Sequence, residues 1–473
     1  MNSPTRTLPT DRVPFGQKLA YGLAGPVDIW SVWILVSMAY PLFNMELGMA
    51  PTKIAFILMA LRLWDGVADP IMGWISDNTR TRWGRRRPYI LVGAVLTGLT
   101  FPLIWWFPRG LGETQLMAWV IGFGILFYTA FTIWAMPYQS LLMELTPDYD
   151  ERTRVAAVRG IMQSLASFVV GCSWWLALRF DDPATGEPSS VQGMRVISLF
   201  IAGAIVVLGV LPAIFVKERY YEHRLAQDQK SVGLLQSFRE TLSCRPFLIL
   251  CLFTVLFLLG TSIYDSYGRY VGTYYVLGGD WERSSLFQIY GTAIYMLTSL
   301  SLIPFFRWLS ERIGKSKCLV ISVVLVLISG LSTWWTNTPG LPYLMLVNTL
   351  FIGAGYAGLW LMIPSMNADV VDADELQTGE RREGSFAAIF SWVLKLSFCI
   401  GFMISGPLLE WTGFDAGRGG AQPDSVLFNM RVGYVALPVV TLVLALLILK
   451  LFPITRERAA EIRALLETRR GAV

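Results

Sequence analysis

The stretch RLWDGVADPIMGWISD, residues 62–77, decides how the chain is read. It sets Arg62, Asp65 and Asp69, followed by Pro70, in a run otherwise dominated by Leu, Ile, Met, Trp, Val, Ala and Gly. In water such charges are ordinary; in lipid each needs a partner or a cavity. The composition identifies the surroundings. Of 473 residues, 54% are hydrophobic and only 15% charged, against roughly a quarter charged in soluble domains. Apolar runs return repeatedly near the length of about 20 residues that crosses a bilayer core as helix. These features point to an all-α polytopic membrane protein.

Reading outward from that stretch, polar breaks divide the chain into twelve spans. The first six cover roughly 17–44, 52–76, 88–107, 115–144, 156–178 and 194–216, with the tolerance of a few residues that such boundaries carry. The last six cover roughly 246–276, 284–306, 317–336, 341–366, 384–411 and 430–453. A polar segment at 217–245 thus separates an N-terminal six-helix half, 1–216, from a C-terminal one, 246–453, and a tail follows at 454–473. The tail, ITRERAAEIRALLETRR, reads as a cytoplasmic amphipathic helix and solvated cap. The opening MNSPTRTLPTDRVPFGQK lacks the apolar core and cleavage site of a signal peptide, so the first long apolar run is expected to stay in the membrane.

The densest basic cluster, Arg80, Arg82, Arg85, Arg86 and Arg87, follows span two. Positive-inside bias assigns that loop to the cytoplasm and, with an even number of spans, both termini as well. An internal echo supports the division into halves. WISD at 74–77 precedes WGRR at 83–86, and WLSE at 308–311 precedes IGK at 313–315. Each copy closes the second span of its half and opens a Gly-containing basic loop, a repeat of the kind that builds the major facilitator fold, whose parallel halves rock around a midplane site.

The net charge of +5 is spread over loops and speaks of membrane orientation, not of nucleic acid. Cys172, Cys244, Cys251, Cys318 and Cys399 lie in or beside apolar segments without metal-ligand spacing, which argues against a disulfide framework or zinc site. The single histidine, His223, falls in a polar loop, so no histidine relays protons within the membrane.

Arg62, Asp65 and Asp69 are spaced by three and four residues and share one helix face. One arginine against two aspartates leaves that face negative, suited to a small cation held by carboxylate oxygens or to a transferable proton. The alternative is a self-neutralising structural cluster. Asp28 lies within span one, Arg159 within span five and Lys395 within span eleven. Their signs suit hydrogen bonds to a hydroxyl-rich ligand, with Trp134, Trp360 and Trp392 offering aromatic faces to its ring. In span seven Asp265 and Arg269 are four apart; they pair with each other or, if Arg269 faces the cavity, favour an acidic sugar through bidentate contact with its carboxylate. The loop RWGRRRP together with Asp77 reads as a gate whose arginines, Arg85 among them, pair with neighbouring helix ends.

The combination of YGLAGPVD, RLWDGVADPIMG, DNTRTRWGRRRPYIL, LTPDYDERTR, NADVVDADE and TGERREGS resembles the glycoside–pentoside–hexuronide:cation symporters, the family typified by melibiose permease. The resemblance runs from helix one to helix eleven. It implies the major facilitator fold and sugar movement coupled to Na⁺, Li⁺ or H⁺, with no other cofactor and a monomeric state. It assigns the coupling cation to Asp65 and Asp69, with Thr132 as a hydroxyl ligand, and the sugar to Asp28, Arg159 and Trp360. Lys395 falls at the helix-eleven lysine, whose partners are the helix-two acids. Two departures matter: the family's helix-four acid is Ala135 here, and the tryptophan four positions later is Gln139, which still bonds hydroxyls. Melibiose itself is therefore a poor guess. The acidic loop reads DADE at 372–375, where an acid–Tyr–Gly–acid pattern is commoner.

The leading expectation is cation-coupled symport of a glycoside or related sugar across the inner membrane, with membrane lipid as the only other partner. A lysolipid carrier of the same fold is the first rival, and the polar set Asp28–Arg159–Lys395 argues against it. A membrane sugar sensor is the second; a signalling domain would be expected in the termini, which are short. No P-loop, HExxH motif or nucleophile–histidine set supports an enzyme.

Overall fold

Long apolar runs, broken by Gly, Pro and charge, dictate helices, because a backbone in lipid must satisfy its polar groups internally. The computed structural model describes residues 12–146, 149–218, 241–379 and 382–470. Apart from an isolated bridge between Asp181 and Pro188, regular structure among them is helical.

In chain order the first unit carries α1 (Phe15–Leu23), α2 (Gly25–Met38), α3 (Pro51–Asn78), α4 (Arg87–Thr100), α5 (Glu113–Leu145), α6 (Tyr149–Ala177) and α7 (Ser190–Phe215). The second carries α8 (Arg245–Tyr270), α9 (Trp281–Ile313), α10 (Lys315–Thr336), α11 (Met345–Thr378), α12 (Glu383–Trp411), α13 (Asp424–Leu449) and α14 (Arg456–Arg470). The two compact units run Met1–Gln229 and Lys230–Val473. The central polar segment, His223 included, lies largely outside the described residues.

Among the described residues, eleven spans are long and apolar enough to cross a membrane by themselves, α1 and α2 forming one of them. The twelfth is α3, as long as the rest but loaded with Lys53, Arg62, Asp65, Asp69 and Asp77. Its failure to qualify on apolarity marks it as the helix with polar work to do. Pro70 stands inside α3, which runs unbroken past it to Asn78.

The halves repeat each other in detail. In each, the first span ends in wider π-type turns, at Ala39–Glu46 and at Val271–Val276. In each, the basic loop after the second span pairs with an acid near the end of the fourth: Arg85 with Glu144, and Lys315 with Asp369 at 2.7 Å.

Two expectations need correction. DADE, 372–375, is not a loop but the closing turns of α11, where Asp374 is buried and accepts three bonds from Arg382 Nη2 and Nε. The tail is not merely solvated: Ile462 and Leu466 of α14 are buried with Met366, Val370 and Val371 of α11. A helix period of 3.6 sets these two on one face, and that face found a core.

Leu466→Ala removes a side chain only 2% exposed and is expected to cost about 2 kcal/mol or more, lowering the melting temperature of the purified protein. Leu465→Ala, at an exposed neighbour, is the control. Equal melting of the two variants would show α14 to be undocked.

Candidate functional site

The first unit gathers its membrane-embedded charges in two groups. The first begins with a close approach. A Cβ on Gly25 would come within 3.1 Å of the Arg159 carbonyl oxygen and of Gln163 Cγ, so the absence of a side chain lets α2 lie against α6, as small residues do in membrane helix pairs. Asp28 then reaches across. Its Oδ2 accepts from Arg159 Nη2 at 2.6 Å and from Gln163 Nε2 at 3.0 Å. The ion pair is largely enclosed, with side-chain exposures of 19% and 16%, so its charges are held by one another and not by water.

An aromatic stack supports that pair. Tyr138 lies between Tyr21 and Trp134, with ring centroids 4.6 and 4.5 Å away, and its hydroxyl donates to the Tyr21 carbonyl. The Arg159 guanidinium lies 5.1 Å from the Tyr138 ring centre, a cation–π distance. Trp134, expected to offer a face to a sugar, is instead fully buried and donates its indole N–H to the Gly209 carbonyl at 3.0 Å. Its ring is structural because an amphipathic indole inside a bundle needs a polar partner. Ala135 beside it is buried, whereas Gln139 is exposed.

The second group is on α3. Arg62 and Asp65 are both buried, with Nη1 and Oδ2 3.5 Å apart. The guanidinium is flanked by the rings of Trp33 and Tyr128 at 5.9 and 5.8 Å. One turn on, half-buried Asp69 accepts the Thr132 hydroxyl from α5 at 3.1 Å. The structure thus brings Asp69 to Thr132 and Asp65 to Arg62. Carboxylate and hydroxyl oxygens of this kind suit a hard cation.

A third polar cluster closes one end of the unit. Glu144, wholly buried, accepts from Arg86 Nε at 2.7 Å, Arg85 Nε at 2.9 Å and Arg85 Nη2. Asp77 is more exposed and accepts from Arg86 Nη2 at 3.2 Å. Burial works against both arginine charges. For Arg85 the Glu144 hydrogen bond and charge outweigh it and raise the guanidinium pKa, whereas burial lowers that of the more enclosed Arg86. Glu218 completes the cluster, its carboxylate accepting the backbone N–H groups of Arg85, Arg86 and Arg87 at 2.9 to 3.1 Å. These are the open donors at the start of α4. The carboxylate fits because Gly84 has φ +103° and no Cβ, which would fall 2.5 Å from Glu218 Oε1.

Sequence reasoning missed Glu144, Glu218 and Gln163. Glu144 carried one signal, a lone acid ending an otherwise apolar helix; Gln163 carried only its place one turn after Arg159. Glu151, within LTPDYDERTR, was also passed over; it is buried and holds Lys18 at 2.6 Å and the Val13 backbone N–H at 2.9 Å.

The remaining expected residues belong to the second unit. Trp360 is on α11, while Trp392 and Lys395 are on α12; both rings are exposed and Lys395 is half-buried. On α8, Asp265 feels the charge of Arg269 one turn away.

The sequence profile of the family described as MFS/sugar transport protein matches residues 21–456. The isoprimeverose transporter of Lactiplantibacillus pentosus is 24% identical, covering 92% of this chain and 88% of its own. The sodium-dependent lysophosphatidylcholine symporter 1 of Gallus gallus is also 24% identical, over 97% of this chain and 90% of its own. Among solved structures, a bacterial homolog of the human lysosomal transporter Spinster superposes with a TM-score of 0.67 at 13% identity, covering 97% of this chain and 98% of that one. The fold is therefore that of the major facilitators.

Burial predicts an asymmetry in the terminal cluster. Glu144→Gln removes a charge that two arginines share and is expected to cost about 3–5 kcal/mol. Asp77→Asn removes a carboxylate 57% exposed and is expected to cost under about 1 kcal/mol. Thermal unfolding of the two variants side by side measures the difference, and a larger loss in Asp77→Asn would refute the assignment of Glu144 as the anchor.

Proposed function

Because the chain belongs to the MFS/sugar transport protein family, we propose that it is a cation-coupled symporter of a glycoside or related sugar, working by alternating access. It is a multi-pass membrane transporter and not an enzyme. The observation that carries the sugar reading is the Asp28–Arg159–Gln163 set, bonded at 2.6 and 3.0 Å inside apolar helices. Intramembrane ionisable groups are expensive and persist chiefly where they serve a ligand, ion or proton. This set offers acceptors and donors side by side, the pattern that binds sugar hydroxyls. Gln139 on α5, and Trp360, Trp392 and Lys395 from the second unit, are proposed as further sugar contacts.

The coupling cation is assigned to Asp65, Asp69 and Thr132, as Na⁺ or H⁺. Arg62 lies 3.5 Å from Asp65, and Asp69 sets carboxylate oxygen beside the Thr132 hydroxyl at 3.1 Å, a donor pair that suits a hard cation. Binding there completes the charge balance of α3 and raises sugar affinity; by linkage, sugar raises cation affinity by the same factor. Asp77 and Arg85 are proposed as gate residues, with Asp265 and Arg269 as a charge pair in the second unit. The five arginines between 80 and 87 support cytoplasmic termini in an inner membrane.

A lysolipid substrate is the second reading, favoured by the lysophosphatidylcholine symporter among the relatives. Uptake into proteoliposomes separates the two. Under an inward Na⁺ gradient or an acidic outside, the wild type is expected to concentrate a labelled glycoside, and Asp69→Asn to abolish accumulation while retaining downhill exchange. Concentrative uptake by Asp65→Asn and Asp69→Asn alike would remove the cation assignment. Uptake of lysophosphatidylcholine in place of every sugar would remove the sugar.

A further inference from the structure

We propose that Gln163 is a specificity-determining residue and that, with the Asp28–Arg159 pair, it selects an uncharged glycoside over a uronide. The inference rests on the sugar reading given above and adds the charge class of the substrate.

The chemistry of the triad fixes its orientation. An ionised carboxylate only accepts, so the Gln163 group facing Asp28 Oδ2 has to be its amide nitrogen. The amide oxygen, Oε1, is consequently turned to another side. Both donors to Asp28 converge on one oxygen, Oδ2. Oδ1 has no partner among the described residues and is not closed off from solvent. Toward a ligand the triad keeps two acceptors, Asp28 Oδ1 and Gln163 Oε1, beside a guanidinium whose Nη2 is committed to Asp28 and whose Nε is buried. Two acceptors ask for donors, and a sugar's hydroxyl groups supply them.

A ligand carboxylate brings none. It would compete with Asp28 for a guanidinium that Asp28 already neutralises, placing two like charges on one cation, and would leave any acceptor it faces without a donor. Unpaired polar groups and like charges are the two devices by which a site rejects a wrong ligand.

Gln163 also differs from Asp28 and Arg159 in that its loss leaves the ion pair intact. Gln163→Lys is the informative variant: an ammonium group retains a donor toward Asp28 Oδ2, removes the acceptor and adds a positive charge. The experiment measures binding by purified protein, through thermal shift and calorimetry, of matched methyl glycosides and their C6-oxidised uronides in the gluco and galacto series, with lysophosphatidylcholine alongside. The wild type is expected to bind the neutral member of the responding pair at least tenfold more tightly than its uronide. Gln163→Ala is expected to weaken the neutral member about tenfold, and Gln163→Lys to narrow or invert the ratio. Response to the coupling cation should stay unchanged in both.

A wild type that prefers the uronide, or a ratio unmoved by either substitution, overturns the inference while leaving sugar transport standing. Binding of lysophosphatidylcholine with no sugar bound overturns both.

Discussion

A buried charge in a membrane helix has to be met by a neighbour, and the bond between Asp28 and Arg159 at 2.6 Å is the instance on which the first unit's polar chemistry depends. It ties α2 to α6, the helices that contribute the candidate sugar ligands, and draws Gln163 in as a second donor. A side chain at Gly25 would meet the Arg159 carbonyl oxygen and Gln163 Cγ at 3.1 Å and press the two helices apart. The Tyr21–Tyr138–Trp134 stack behind it turns a pair of charged side chains into a fixed surface, because each ring is held by packing and two of the three also by backbone hydrogen bonds.

The same constraint recurs along α3 and at the unit's end, with different outcomes. On α3 an internal arginine covers Asp65, and a hydroxyl from the neighbouring helix meets Asp69. In the terminal cluster one enclosed carboxylate, Glu144, serves two arginines. The first arrangement sets one arginine against two carboxylates on a single helix face. The second has excess positive charge around a single buried acid and needs Asp77 and Glu218 to balance it. The polar face of α3 and the terminal clasp are thus built from the same residue types.

Much of this was legible from spacing. Arg62, Asp65 and Asp69 announce one face because three and four residues bring side chains together on any helix. The basic loop and its echo at 308–315 announce two halves, and the repeat extends to the π-type turns and to the acid on the fourth span of each half. Other elements were opaque. Nothing local distinguishes Trp134, buried against Gly209, from Trp360, exposed on α11. Nothing in DADE tells that Asp374 closes on Arg382 at 2.8 Å and stays helical.

What the sequence determined by itself was everything governed by short range: helix lengths, the polar face of α3 and the presence of charges too costly to be incidental. Helical periodicity and hydropathy act within a few turns, so a single strand of text carries them. Only the tertiary structure decided which charge meets which. Asp28 and Arg159 are 131 residues apart, and Arg85 and Glu144 are 59 apart. Those pairings arise from helices packing side by side, where a missing Cβ or a buried ring sets the distance, and no local pattern records that.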